Sequence, residues 1–102
     1  MHKKQPLVSI LMANYNNGKY IKEAIQSVFD QSYTNWEVII VDDASTDNSW
    51  DVIKDLSKKH NNIYSYQNIK NLKVAATKGR ATELSNGEIC AILDPDDKLV
   101  PT

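Results

Sequence analysis

The feature that most limits the fold of this chain is a set of short, almost uninterrupted apolar runs separated by helical patterns. Leu7-Val8-Ser9-Ile10-Leu11-Met12 is apolar at nearly every position, and so are residues 36–41 and the run Ile89-Cys90-Ala91-Ile92-Leu93. A half-exposed strand alternates apolar with polar side chains. A run without a polar face suits a strand covered on both sides, as in a parallel sheet. Between these runs the period changes. Tyr20, Ile21, Ala24, Ile25, Val28 and Phe29 recur at helical spacing, and Val52, Ile53 and Leu56 mark a second helix whose Lys54, Asp55, Lys58 and Lys59 face outward. Asn61-Asn62 ends that helix, residues 63–67 alternate as a short strand, and residues 74–85 read as a third helix. Gly79 costs that helix about 1 kcal/mol relative to alanine. Asn86-Gly87 stops it in the manner of a C-cap glycine, and residues 88–93 form the last strand. The order β-α-β-α-β-α-β predicts an α/β fold, a Rossmann-like open and mostly parallel sheet with flanking helices.

Composition narrows the class. With 102 residues the chain is the size of one small domain. Its 12 basic and 13 acidic residues leave no basic excess, which argues against nucleic acid as a partner. No apolar h-region follows His2-Lys3-Lys4, and no run approaches the ~20 residues of a transmembrane segment. Cys90 lies inside an apolar run and is expected to be a buried small hydrophobe rather than a nucleophile. His2 and His60 have no metal-ligand spacing and read as surface residues. Neither G-x-G-x-x-G nor a Walker loop occurs, which argues against a dinucleotide dehydrogenase and a P-loop NTPase.

Three polar clusters sit where strands end: Asn14-Tyr15-Asn16, Asp42-Asp43 and Asp94-Pro95-Asp96-Asp97. Open α/β sheets bind ligands outside the carboxyl ends of their strands, so the clusters can share one cleft edge. In an extended Asp94-Pro95-Asp96 segment the two aspartates point the same way, and Pro95 favours that conformation. Carboxylates this close repel one another unless a cation is present, and such oxygen ligands suit Mg²⁺ or Mn²⁺. The competing reading is a solvated acidic turn. At Asp42-Asp43, one carboxylate could hold the loop and the other accept from a base or ribose; simple turn capping is the alternative. Tyr15 could stack on a base or be a half-buried loop aromatic. Lys78 could meet phosphate or lie on a solvated helix face.

These residues resemble the family 2 inverting glycosyltransferases with the GT-A fold. The stretch Val8-Ser9-Ile10-Leu11-Met12-Ala13-Asn14-Tyr15-Asn16 is similar to the family's opening strand and loop. Gln31-Ser32-Tyr33, followed by Trp36-Glu37-Val38-Ile39-Ile40-Val41-Asp42-Asp43-Ala44-Ser45-Thr46-Asp47, is similar to its second block. Asn86-Gly87-Glu88 leading into Leu93-Asp94-Pro95-Asp96-Asp97 is similar to its D-x-D block. The resemblance implies a nucleotide-binding site of Ala13, Tyr15, Asp43, Lys78 and Asp94. Asp43 would accept from the base N3–H of a uridine nucleotide. Asp96, with Asp94, would hold the Mn²⁺ or Mg²⁺, and Asp97 would approach the sugar. The partners implied are a nucleoside diphosphate sugar, most simply a UDP-sugar, and a glycan or lipid-linked acceptor. The implied setting is polysaccharide or surface-glycan synthesis, cytoplasmic, with peripheral membrane association as a variant for the full-length protein. The implied reaction is metal-dependent sugar transfer with inversion. Its base is expected downstream of Thr102, so residues 1–102 are read as one truncated donor-binding domain, inactive alone. Three departures are visible, the first being Met12-Ala13 where the family often has proline or a small hydroxyl residue. Lys73 stands where the family often has glycine, and Lys78-Gly79-Arg80-Ala81 replaces the usual arginine-asparagine-x-glycine. The rival readings are a non-catalytic nucleotide-binding module and a metal-dependent nucleotidyltransferase.

Overall fold

A computed structural model describes residues 6–95. The elements follow the expected order: β1 (Val8–Asn14), α1 (Gly18–Phe29), β2 (Trp36–Asp42), α2 (Ser49–Lys59), β3 (Ile63–Gln67), α3 (Val74–Leu84) and β4 (Ile89–Ile92). All four strands are parallel and ordered β3-β2-β1-β4. The chain therefore steps outward from β1 through β2 to β3, then returns to the other side of β1. That reversal puts a topological switch point between β1 and β4, the place where sheets of this kind bind ligands.

Strand alternation sorts the side chains into two cores. Ile10, Met12, Val38 and Ile40 face Ile21, Ile25 and Val28 of α1 and Ile53 of α2. Leu11, Ile39 and Val41 face Ala81 of α3 on the other side. The expectation of doubly covered strands thus holds for β1 and β2. Burying each of these large side chains stabilises the fold by about 1.5–3 kcal/mol.

It fails for β4, whose residues are all exposed. Cys90 is exposed as well, contrary to the expectation of a buried hydrophobe. The reason is position. Among the described residues β4 is an edge strand hydrogen-bonded only to β1, and α3 packs over β1 and β2 instead. His60 is also not a plain surface residue, because its ring lies 4.7 Å from that of Phe29.

Gly87 has a different role from the one expected. Helix α3 ends at Ser85 with extended backbone, and no glycine among the described residues has a positive φ. What Gly87 supplies is room. A Cβ there would collide with Ser9 Oγ and come within 2.7 Å of Ser9 N and 2.8 Å of Leu7 O. The close approach lets Gly87 N–H donate to Ser9 Oγ at 2.8 Å, while Ser9 Oγ donates to the buried Glu37 Oε2 at 2.6 Å. Asn86 N–H donates to the same carboxylate at 2.7 Å. Burial pushes the Glu37 carboxyl up, but these bonds together hold it below its ordinary value. One buried glutamate on β2 thereby fixes the turn that starts β4.

Candidate functional site

The three loops at the carboxyl edge carry every positive-φ residue of the described chain: Asn16, Ala44 and Lys73. Asn16 follows β1, Ala44 follows β2 and Lys73 follows β3. Asparagine tolerates this conformation, and Asn16 also serves as a clamp. Its Oδ1 accepts from Thr46 N at 2.8 Å and Asp47 N at 3.2 Å, tying the first loop to the second. Asp47 accepts from Gly18 N at 3.1 Å and Ser49 N at 2.8 Å, and so caps the starts of α1 and α2 together.

Adjacent aspartates on a strand point to opposite faces, and Asp42 and Asp43 divide their work accordingly. Asp42 is fully buried on the α1–α2 side. It accepts from Asn14 Nδ2 at 2.8 Å, Ser45 Oγ at 2.6 Å and Ser45 N at 3.0 Å. It is the loop holder of the pair. Asp43 turns to the α3 side, where Oδ1 accepts from Asn68 Nδ2 at 2.9 Å and Leu72 N at 2.7 Å. Oδ2 accepts from Lys73 N at 3.0 Å. Burial raises the Asp43 pKa, but the bonds from Leu72, Asn68, Thr77 and Lys73 outweigh it and hold the carboxyl below the usual range. Asp43 is therefore an anion at neutral pH. A carboxylate oxygen can accept from two donors, and the Lys73 amide is one of those that Oδ2 takes.

Asp43 lines a cleft of about 200 Å³. Ala13, Asn14 and Tyr15 line one side, Asp43 is at its edge, and Asn71, Lys73, Val74 and Thr77 line the other. Tyr15 is 47% exposed, so much of its ring surface is open to solvent. Asn14 is buried with its Oδ1 lacking a partner among the described residues. Of the expected site residues, Ala13, Tyr15 and Asp43 meet here. Lys78 and Asp94 do not line this cleft; they pair with each other at 3.4 Å. Leu93 N–H donates to Leu11 O, so Asp94 emerges beside the Ala13 end of β1, at the switch point. Asp94 is exposed, and Asp96 and Asp97 lie outside the described residues. No group of three or more metal-ligating side chains forms among the described residues. The donor chemistry of Asp94, an accessible carboxylate, nonetheless fits a hard cation such as Mg²⁺ or Mn²⁺.

Residues 68–77 contribute side chains that the motifs did not single out. Asn68 braces Asp43 and also donates to Thr77 Oγ1 at 3.1 Å, and Arg80 reaches Asn68 Oδ1 at 2.5 Å. Lys73 has φ 73° and ψ 164°, a region close to glycine-only, at a cost of order 1–3 kcal/mol. The substitution of lysine for an expected glycine was the available signal that this backbone is special.

Comparison with known proteins agrees with this geometry. Residues 9–102 match the family model described as glycosyl transferase family 2. Among curated relatives, the Escherichia coli UDP-Glc:alpha-D-GlcNAc-diphosphoundecaprenol beta-1,3-glucosyltransferase WfaP is 38% identical over 96 residues, covering 94% of this chain and 38% of that protein. Glycosyltransferase GlyG of Streptococcus pneumoniae is 33% identical over 91 residues, covering 89% of this chain and 30% of its own length. Among solved structures, Staphylococcus aureus TarS 1-349 in complex with UDP-GlcNAc superposes with a TM-score of 0.81 at 29% identity, covering 89% of this chain and 27% of that one. The mannosyltransferase PcManGT of Pyrobaculum calidifontis, in complex with GDP-Man and Mn²⁺, gives 0.85 at 25% identity, covering 93% of this chain and 29% of that one. The chain thus spans roughly a third of the length of the relatives it matches. The parallel sheet and the family match together show that this chain belongs to glycosyl transferase family 2, with the GT-A architecture.

Proposed function

We propose that these residues are the donor-binding part of a metal-dependent inverting glycosyltransferase that takes its sugar from a UDP-sugar. The observation that carries this reading is the Asp43 carboxylate, ionised, fixed by donors from the loop after β3 and from α3, and lining the cleft. Uracil presents an N–H between two carbonyls and guanine an N–H beside one, whereas adenine and cytosine present an unprotonated nitrogen at the corresponding position. A fixed carboxylate favours the first and repels the second. Tyr15 would stack on the base, with Ala13 giving it room. Lys78 and Asp94 would lie toward the diphosphate, and Asp94 with Asp96 would hold Mn²⁺ or Mg²⁺. The ion, when bound, would neutralise charge on the departing diphosphate.

In this reading the acceptor hydroxyl attacks the anomeric carbon in line, and a base outside these residues takes its proton. The acceptor is proposed to be a glycan or lipid-linked sugar in polysaccharide synthesis. The name of WfaP, which specifies a diphosphoundecaprenol-linked acceptor, supports that class. Likewise, the UDP-GlcNAc complex of TarS and the Mn²⁺ complex of PcManGT support the donor and metal. No helix among the described residues is long and apolar enough to cross a membrane.

The test is calorimetric titration of the whole natural gene product with UDP, with and without Mn²⁺. Asp43→Asn should weaken UDP by about tenfold or more, the effect of losing a charge-assisted hydrogen bond. Asp96→Ala should abolish the gain from Mn²⁺. Metal-independent UDP binding by the wild type, or none at all, would instead favour a non-catalytic module.

A further inference from the structure

We propose that Lys73 is a specificity-determining residue of the cleft, whose ammonium donates to a base carbonyl flanking the N–H that Asp43 accepts. The inference rests on the cleft being the base site, as proposed above. Two observations on Lys73 need to be explained together. Its backbone occupies a conformation that strongly favours glycine, and the residue lines the cleft. The backbone's task is clear: Lys73 N–H donates to Asp43 Oδ2 at 3.0 Å and to Asn71 Oδ1 at 3.2 Å. A glycine would make the same bonds without strain. The amide therefore gives no reason for a lysine, and the reason must lie in the side chain.

The donors of several lining groups are already engaged. A base with an N–H beside a carbonyl needs a donor next to the Asp43 acceptor. Asn14 Nδ2 already donates to Asp42 and Ser45. Asn71 Nδ2 commits one of its two N–H groups to Asp43 O at 3.3 Å, and Thr77 Oγ1 donates its proton to Lys73 O at 2.9 Å. Lys73 is the one cationic side chain lining the cleft among the described residues, and it enters no ion pair among them. Its ammonium carries three donors on a four-carbon stem, enough reach to meet a carbonyl from the rim. Asp43 and Lys73 would then read the base as an acceptor–donor couple. The lysine's own amide helps hold the carboxylate half in place.

Lys73→Gly, Lys73→Ala and Tyr15→Ala, each in the whole natural gene product, test this by NMR titration with uridine and with UDP, alongside thermal melts. Both Lys73 variants should weaken uridine and UDP by the same factor, about three- to tenfold. Lys73→Gly should also raise Tm by about 2–6 °C through relief of strain, which Lys73→Ala should not do. Loss of UDP affinity without loss for uridine would place the ammonium on the diphosphate and overturn the proposal. Unchanged binding by both Lys73 variants, with Tyr15→Ala still defective, overturns it too but leaves the cleft as the base site. If Tyr15→Ala is also silent, the cleft is not the base site and both readings fall. A Tm for Lys73→Gly at or below the wild-type value removes the claim that the side chain is kept at the backbone's expense.

Discussion

Two strands deliver carboxylates to the same edge of this sheet, and they do so in opposite ways. β2 is buried almost throughout, and each of its terminal aspartates is held by several donors from the chain itself. β4 is exposed along its length, and Asp94 beyond it meets one lysine. The first arrangement makes rigid acceptors of fixed direction, and in the proposed complex Asp43 is the one that meets the base. The second leaves a carboxylate accessible to solvent and free to take a hard cation with its hydration shell. The site is divided between a preorganised half and an accessible half.

The largest expected effect of breaking this contrast is on folding. Asp42→Ala removes the acceptor of Asn14 Nδ2, Ser45 Oγ and Ser45 N in a fully buried place. Stranded buried donors cost about 1–3 kcal/mol each, moderated by relaxation, so a total loss of about 2–4 kcal/mol is expected. Asp94→Ala loses one exposed ion pair, worth at most about 1 kcal/mol. Urea melts of the two variants should differ accordingly. Equal losses would show that the two ends are not mechanically different.

Gly87→Ala should come next. Its Cβ would strike Ser9 where the Glu37 network anchors the start of β4. Moving backbone away from backbone costs about 1–3 kcal/mol. Because the damage begins on the exposed strand, hydrogen exchange should rise first in β4 and the residues after it, before β1 or β2. Uniform loosening of all four strands would mean that β4 is as firmly integrated as its neighbours.

The same contrast explains how much could be read from the sequence. Runs such as Ile10-Leu11-Met12 and Val38-Ile39-Ile40-Val41 announced doubly covered strands because both faces are in fact packed. Ile89-Cys90-Ala91-Ile92 has the same composition yet is exposed at the sheet edge, since apolar character does not say what lies alongside. Tyr15 and Asp43 follow buried strands directly, which placed them at the carboxyl edge, and Ala13, implied by the family resemblance, lines the same cleft. Asn68, Asn71 and Thr77 were not, because their role depends on how the loop after β3 folds back onto Asp43. Periodicity carries no information on such a contact. Gly87 misled for a related reason: its place after a helix suggested a cap, whereas a long-range approach to Ser9 demands it.

The smallest effect on stability should come from Lys78→Met, and it sharpens the comparison most. The Lys78 side chain is 33% exposed and its Nζ lies 3.4 Å from Asp94 Oδ1, so losing the pair should change stability by less than about 0.5 kcal/mol. Its effect on ligands should have two signs. An ammonium on Asp94 competes with a divalent cation, so without nucleotide the variant should bind Mn²⁺ about two- to fivefold more tightly at low salt, and less so as salt screens the charge. In the proposed complex the diphosphate brings negative charge to the same place, and Lys78 becomes its partner. With UDP present the variant should therefore bind more weakly than the wild type. Paired titrations of Mn²⁺ alone and of UDP with saturating Mn²⁺ read both signs. A loss in both would mean that Lys78 supports the carboxylate end rather than competing there. A gain in both would remove Lys78 from the diphosphate site and leave the cation pocket as its only business.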